Sequence, residues 1–135
     1  MQAMGVIAFN HFNIRAPKQL LAEVRSFYAD VIGLEEGFRP DFGVPGHWLY
    51  LGEQPVLHLM EWSEEKYGEA PGKTQGYLDH VAFSCEDLEG FIAQLERHLV
   101  SFKRRDFESP QGGGFTQLVM HDPAGNGVEL NFAHA

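Results

Sequence analysis

Two segments of the chain alternate between polar and apolar residues in the same way. Residues 8–14 and 78–84 both read as extended segments in which two apolar side chains, Phe12 and Ile14 in the first and Val81 and Phe83 in the second, fall on one side of the backbone. A single histidine, His11 or His80, falls on the opposite side of each segment. This period of two predicts a pair of β-strands, each with one apolar face and one face that carries an imidazole.

Each predicted strand leads into a segment whose apolar residues recur every three or four positions, which predicts an amphipathic helix. Pro17 suits the start of the first helix, and Gly33 suits its end. Ser84 and Asp87 have the spacing of a capping box at the start of the second helix. The apolar stripe consists of Leu20, Leu21, Val24, Phe27, Tyr28 and Val31 in the first helix and of Leu88, Phe91, Ile92, Leu95 and Leu99 in the second.

The two halves of the chain also end alike. Residues 56–59 and 127–130 read as apolar strands, each interrupted by one polar residue, His58 in the first and Glu129 in the second. These two polar residues lie 71 positions apart, and the two histidines of the opening strands lie 69 apart. Two nearly equal offsets indicate an internal repeat.

The repeat predicts an α+β fold that is built from two βαβββ modules within one domain, residues 1–135. The modules span residues 5–62 and 76–133, and a polar segment with Gly and Pro, residues 63–75, links them. A length of 135 residues is typical of a single domain. Middle strands are predicted at 47–51 and 115–120.

Composition limits the partners and the compartment. Nineteen acidic residues against ten basic ones give a net charge of −9, which disfavours nucleic acid and anionic membranes as partners. No apolar run approaches the ~20 residues that span a bilayer, and residues 1–5 lack the basic region of a signal peptide. The lone Cys85 fits a reducing compartment, so we expect the cytoplasm. The compact basic patch Lys103–Arg105 is either a solvated loop or a docking point for an anionic small substrate.

Four polar residues stand at repeat-related positions, away from the apolar strand faces: His11, His58, His80 and Glu129. Burying three imidazoles and a carboxylate without partners costs several kcal/mol, and a bound cation offsets that cost. We therefore predict a site for one divalent metal ion, Fe, Mn, Ni, Co or Zn, because these ions accept nitrogen and carboxylate ligands. His58 is either a fourth ligand or a residue that supports the ligands. A single histidine on a strand is more often an ordinary core or surface residue, so this prediction depends on the repeat.

Three motifs extend the pattern over nearly the whole chain: Phe-Tyr-Ala-Asp-Val-Ile-Gly-Leu at residues 27–34, Asp-His-Val-Ala-Phe at 79–83, and Asp-Pro-Ala-Gly-Asn-Gly-Val-Glu-Leu at 122–130. Together they resemble the vicinal oxygen chelate superfamily, which includes glyoxalase I, extradiol dioxygenases, fosfomycin-resistance thiol transferases and bleomycin-resistance proteins. The resemblance implies an open, cup-shaped mixed sheet around a divalent metal, with the helices on its outer face. It also implies a homodimer whose sites are shared between chains, and a small-molecule substrate that binds the metal through two neighbouring oxygens.

The resemblance leaves several reactions open. A glyoxalase-like isomerase or lyase is expected first, because Glu129 matches the carboxylate that leaves the metal in glyoxalase I and abstracts a proton; His58, however, stands where that family has glutamate. An extradiol-type ring-cleaving dioxygenase would use two histidines and Glu129, but Val119 replaces its usual substrate-binding tyrosine. A thiol transferase would need a basic pocket, to which only Lys103–Arg105 could contribute. A non-enzymatic binding protein of the bleomycin-resistance type is the remaining alternative.

Strand position also selects the residues that are expected to contact the substrate. Asn13 and Met60 share a predicted strand face with a proposed ligand. Trp48, Tyr50 and Trp62 are further candidates for the walls of the pocket.

Overall fold

The computed structural model describes residues 4–73 and 76–134, and the chain divides into two compact units, Met1–Ala70 and Pro71–Ala135. The first unit contains β1 (Phe12–Ala16), α1 (Lys18–Ser26) with a π-helical continuation (Phe27–Ile32), β2 (Glu35–Gly37), β3 (Gly46–Leu51), β4 (Gln54–Glu61) and α2 (Glu64–Tyr67). The second contains β5 (His80–Ser84), α3 (Leu88–Arg97), β6 (Lys103–Phe107), β7 (Phe115–His121) and β8 (Gly127–Ala133). None of the helices within residues 4–73 and 76–134 has the length and apolar composition needed to cross a membrane.

The described strands form two sheets of the same topology. The strand order is β1-β4-β3-β2 in the first unit and β5-β8-β7-β6 in the second. In each sheet the opening and closing strands run parallel, and the remaining neighbours run antiparallel. The predicted α+β fold with two βαβββ modules is therefore confirmed, while the limits of the modules and of their linker, which includes α2, remain a prediction.

In the first unit, one face of the sheet is buried together with α1. Leu49, Leu57 and Leu59 are almost completely inaccessible to solvent, as are Val24 and Tyr28 of the helical segment. Because side chains alternate along a strand, the residues between these leucines point to the other face. The helix thus leaves one face of this sheet for other contacts.

The first helix ends in a wider π-helical turn. Both Gly33 and Leu34 donate backbone hydrogen bonds to the carbonyl of Tyr28, at 3.1 and 2.9 Å. Gly33 has a φ of +99°, a left-handed conformation that favours glycine and ends the helix as predicted. The wider turn lets Val31 and Ile32 both be buried, which regular helical spacing does not predict.

The second unit uses the same packing with different helix ends. Phe91 of α3 meets Phe132 of β8 edge to face, with 5.6 Å between the ring centroids. Asp87, rather than Ser84, caps α3, since its carboxylate accepts a hydrogen bond from the backbone of Gly90. Leu99, predicted to be part of the apolar stripe, lies beyond the helix in a left-handed conformation and is 91% exposed.

Two other predictions about strands were wrong. Residues 8–11 were predicted to begin β1, but this strand begins at Phe12, after an exposed segment. The basic patch Lys103–Arg105, considered as a solvated loop, forms three of the five residues of β6, which pairs with β7. An edge strand whose residues are exposed on both faces carries no hydrophobic alternation, so its sequence gives no strand signal.

Candidate functional site

The face of the first sheet opposite α1 gathers most of the residues predicted from this unit. In the strand register, His58 of β4 lies between Asn13 of β1 and Trp48 of β3. Met60, two residues further along β4, lies on the same face, and so does Tyr50, two residues beyond Trp48. Four of the five residues predicted to contact the substrate therefore share a face with one predicted metal ligand.

The imidazole of His58 lies in a stack of aromatic rings. The ring of His11 is parallel to it on one side, with 3.6 Å between centroids, and the ring of Trp48 on the other, with 4.0 Å. Phe42 lies next to Trp48, with 6.0 Å between centroids, but its ring is tilted by 38°. Three rings are therefore stacked on the sheet face, and a fourth, tilted ring lies at the Trp48 end of the stack.

One nitrogen of His58 is buried without a hydrogen-bond partner. The ring bonds to the backbone of Pro55, and because proline has no N–H, His58 must be the donor. Since Nε2 is the buried atom that lacks a partner, the donor is Nδ1, and Nε2 carries the free lone pair. Burial lowers the pKa of His58, the neighbouring charges of His11 and Arg39 lower it further, and the Pro55 bond opposes them. His58 is therefore held as a neutral base.

In the second unit, His80 and Glu129 approach each other across the neighbouring strands β5 and β8. Nε2 of His80 lies 3.3 Å from Oε2 of Glu129, and Nδ1 of His80 lies 2.8 Å from a carboxylate oxygen of Asp79. The hydrogen bond to Asp79 raises the pKa of His80, and the negative charges of Glu129 and Asp79 add to this, against a smaller opposing effect of burial. The pair thus places an imidazole nitrogen beside a carboxylate oxygen.

Two amides that were missed in the sequence hold the Glu129 carboxylate. Gln117 of β7 and Asn131 of β8 are paired in the register of these two adjacent strands. The side-chain amides of both donate to Oε1 of Glu129, at 2.5 and 3.1 Å. Oε2, the other carboxylate oxygen, is the one that faces Nε2 of His80, and the side chain of Glu129 is only 14% exposed. The signal that could have found these amides is alternation, since each occupies the same face as Glu129.

The three histidines share a feature that suits metal ligands. Like His58 and His80, His11 makes a contact through Nδ1, which lies 2.7 Å from the amide oxygen of Asn10. An acceptor at Nδ1 favours the tautomer with the proton there and leaves Nε2 as the basic atom. Ligating histidines in proteins are usually oriented by this kind of hydrogen bond from the other ring nitrogen. The donor set, three Nε2 atoms and one carboxylate oxygen, therefore fits a divalent metal ion.

Each unit contains two of the four predicted ligands, and the described residues contain no group of three His, Cys, Asp or Glu side chains gathered to hold an ion. The stacked rings of His11 and His58 lie only 12° from parallel. An imidazole binds a metal in the plane of its ring at ~2 Å, and nearly parallel planes do not meet so close to both rings. One of the two rings must therefore turn for both to bind the same ion, so the ligand set remains a prediction.

The basic patch is divided between the two faces of the second sheet. Arg104 bonds to Asp106, which also accepts a hydrogen bond from the buried Thr116. In the strand register, Lys103 and Arg105 lie opposite Val119 and Gln117, on the same face as Glu129.

Trp62 is held away from the ring stack. Its indole nitrogen donates to the carbonyl of Gly68, and its ring packs against Tyr67 of α2. The placement of Trp62 in the wall of the substrate pocket remains a prediction.

Comparison with known proteins assigns the chain to a family. No protein of curated function matches the sequence significantly. The solved structures similar to this chain include lactoylglutathione lyase from Agrobacterium tumefaciens, with 20% identity, a TM-score of 0.60 and 95% of each chain covered. The fosfomycin resistance protein FosX from Listeria monocytogenes has 14% identity and a TM-score of 0.62, over 93% of this chain and 91% of its own. TnmS3, an antibiotic binding protein from Streptomyces sp. CB03234, has 17% identity and a TM-score of 0.60, over 96% and 98%.

These likenesses concern the fold, whereas the family assignment comes from the sequence. The model of the Glyoxalase/Bleomycin resistance protein/Dioxygenase superfamily matches residues 8–130, which is most of the chain and includes all four predicted metal ligands. The chain belongs to this superfamily.

Proposed function

We propose that this protein is a metal-dependent enzyme that acts on a small oxygenated substrate. His11, His58, His80 and Glu129 would hold one divalent ion, Fe, Mn, Ni, Co or Zn, and the substrate would bind through two neighbouring oxygens. The reaction that we favour is a glyoxalase-like isomerisation or lyase reaction. We also expect a cytoplasmic homodimer whose sites draw ligands from both chains.

The observation that carries the proposal is the buried, unpartnered Nε2 of His58. Burying a polar atom without a hydrogen bond lowers the stability of the folded protein by about 1–3 kcal/mol. Such an arrangement is explained if a bound ligand or ion becomes the partner of that atom in the functional state. The orientation of the imidazoles of His11 and His80, with Nδ1 engaged and Nε2 basic, supports the same role. In a histidine with a purely structural role, the buried nitrogen would be expected to have a hydrogen-bond partner within the protein.

A bound divalent ion would act as a Lewis acid on the two substrate oxygens. Glu129 would move the proton: its Oε1 is held by Gln117 and Asn131, so Oε2, which faces Nε2 of His80, is the atom that would accept a proton from the substrate and return it. Trp48 and Met60 would flank the carbon skeleton on the sheet face that carries His58.

Extradiol ring cleavage is a less favoured reaction for this site. Val119 lies directly opposite Glu129 in the strand register. An aliphatic side chain at this position offers no hydroxyl to a catechol, so the substrate would lack the contact that a tyrosine supplies in that group.

A non-enzymatic binding protein is the second candidate function. The ring stack of Trp48, His58 and His11, with the tilted ring of Phe42 beside it, favours this function, because aromatic rings offer an apolar surface to a planar ligand without any metal. In this alternative, Nε2 of His58 would accept a hydrogen bond from the ligand.

Metal content separates the two functions. The enzyme proposal expects the wild-type protein to bind one equivalent of Mn(II), Fe(II), Ni(II) or Zn(II), measured by elemental analysis after dialysis. His80→Ala should lose this metal while its circular dichroism is unchanged, and Glu129→Gln should bind it more weakly. His98→Ala, at the exposed end of α3, is the control and should keep the metal. A wild-type protein that takes up none of these ions would leave the binding protein as the better account.

A further inference from the structure

Arg39 belongs to the loop between β2 and β3, and its guanidinium lies over Gly46, which shares a strand face with Trp48 and therefore with His58. A Cβ atom built on Gly46 of β3 would lie 2.8 Å from a terminal nitrogen of Arg39 and would collide with the carbonyl oxygen of Leu59. Only glycine therefore lets the guanidinium rest against the sheet here. On its other side, Arg39 faces the ring of Phe42, 5.0 Å from the ring centroid.

Despite this close fit, the guanidinium of Arg39 is short of partners. Its Nε–H is buried and makes no hydrogen bond, and no carboxylate within residues 4–73 and 76–134 forms an ion pair with it. Acidic residues outnumber basic ones by almost two to one in this chain, so counter-ions are abundant elsewhere. An arginine that is partly buried without an anion is positioned for an anion that arrives from outside.

A second cation lies close by. Met60 of β4 pairs with Gly46 of β3 on one side and with Arg15 of β1 on the other. Nη2 of Arg15 lies 3.1 Å from the sulfur of Met60. Arg15 also stacks on the ring of Tyr67 and has no carboxylate partner in the described part of the chain. Two guanidinium groups thus flank Met60, one two-residue step, ~7 Å, from His58.

We propose that the substrate carries a carboxylate group, which Arg39 binds with the help of Arg15, while its apolar part lies against Trp48 and Phe42. The planar guanidinium matches the two oxygens of a carboxylate, and the rings provide the apolar surface next to it. This inference deepens the proposed function, because it concerns the substrate class of the same site. It requires no metal, so the two can be tested separately.

The test compares benzoate with the neutral benzyl alcohol, using NMR titration of the metal-free protein. We expect the wild type to prefer benzoate, and Arg39→Met to bind benzoate about ten- to a hundredfold more weakly, while the affinity for benzyl alcohol is unchanged. Arg39→Lys should recover part of the preference, because it restores the charge without the planar fork. Arg97→Met, on the surface of α3, is the matched control and should behave as wild type.

Three results would overturn the inference: no benzoate binding by the wild type, an equal loss of both ligands in Arg39→Met, or an unchanged preference in that variant. Inorganic phosphate provides a further arm, and Arg39-dependent binding of phosphate without binding of benzoate would refute the carboxylate as the ligand class. Metal content of wild type and Arg39→Met is measured in parallel. Both should bind metal equally, and if neither does while the benzoate preference depends on Arg39, the proposed enzyme function fails and this inference stands.

Discussion

The carboxylate of Glu36 joins three elements of the first unit. It accepts from Nε of Arg25 in α1, at 2.8 Å, and contacts Nδ1 of His47 in β3, at 2.6 Å. Burial alone would raise the pKa of Glu36, but the hydrogen bonds and charges of His47 and Arg25 outweigh it and lower the pKa. The charged form of Glu36 is therefore favoured in the folded state relative to the unfolded chain.

This shift predicts how stability depends on pH. A carboxyl group whose pKa is lowered by folding stabilises the protein above its unfolded pKa, and this stabilisation is lost as the pH falls through the folded pKa. From about pH 6 to pH 3, the unfolding free energy of the wild type should fall more steeply than that of Glu36→Gln, measured by urea denaturation. Glu23→Gln, exposed on α1, is the control and should follow the wild type. Parallel curves for wild type and Glu36→Gln would contradict the assignment.

At the residue scale, sequence reasoning finds the unusual residues and misses the ordinary ones. His58 and Glu129 could be singled out because each interrupts an apolar strand at a repeat-related position. Gln117 and Asn131 were missed: alternation places Asn131 on the face of Glu129, but only the strand register shows that both amides reach its carboxylate. Arg39 was missed for a related reason, since its significance depends on a missing partner, which only the structure reveals.

At the scale of elements, the end of the first helical segment depends on one glycine. Gly33→Ala should destabilise the protein by about 1 kcal/mol, because an L side chain is strained at the left-handed φ of +99°. Thermal or chemical denaturation measures the loss. Gly72→Ala is the control, because Gly72 has no positive φ and a Cβ added there would meet no atom within 4 Å. If both variants lose the same stability, the left-handed cap does not explain the end of the helix.

The elements that could be predicted are those with one buried face. The stripes of α1 and α3 and the alternation in β4 and β8 follow directly from the apolar positions. The π-helical turn from Phe27 to Ile32 could not be predicted, because one extra residue per turn shifts which side chains are buried without changing their types. Strand β6 was missed because its pairing with β7, not its own hydrophobicity, makes it a strand.

At the scale of the whole molecule, the internal repeat is what made the fold predictable. Two sheets with the same strand order and the same pattern of parallel and antiparallel neighbours correspond to the two halves of the sequence. The repeat also places His58 and Glu129 at matching positions in the strand register. His58 pairs with Asn13, two residues after His11, and Glu129 pairs with Ala82, two residues after His80. Side-chain rotamers cannot be inferred from the pattern of residues along the chain, so the stacking of His11 on His58 could not be predicted.

The central claim is that three imidazoles and one carboxylate bind a common ion. An anomalous difference map from crystals of the Zn(II)-loaded protein tests it most directly. We expect a single peak at ~2.0–2.2 Å from Nε2 of His11, His58 and His80 and from a carboxylate oxygen of Glu129, each ligand coming from either chain of a dimer. A peak beyond coordination distance of Glu129 and of either His11 or His80, or the absence of a peak at these residues, would contradict a shared metal site.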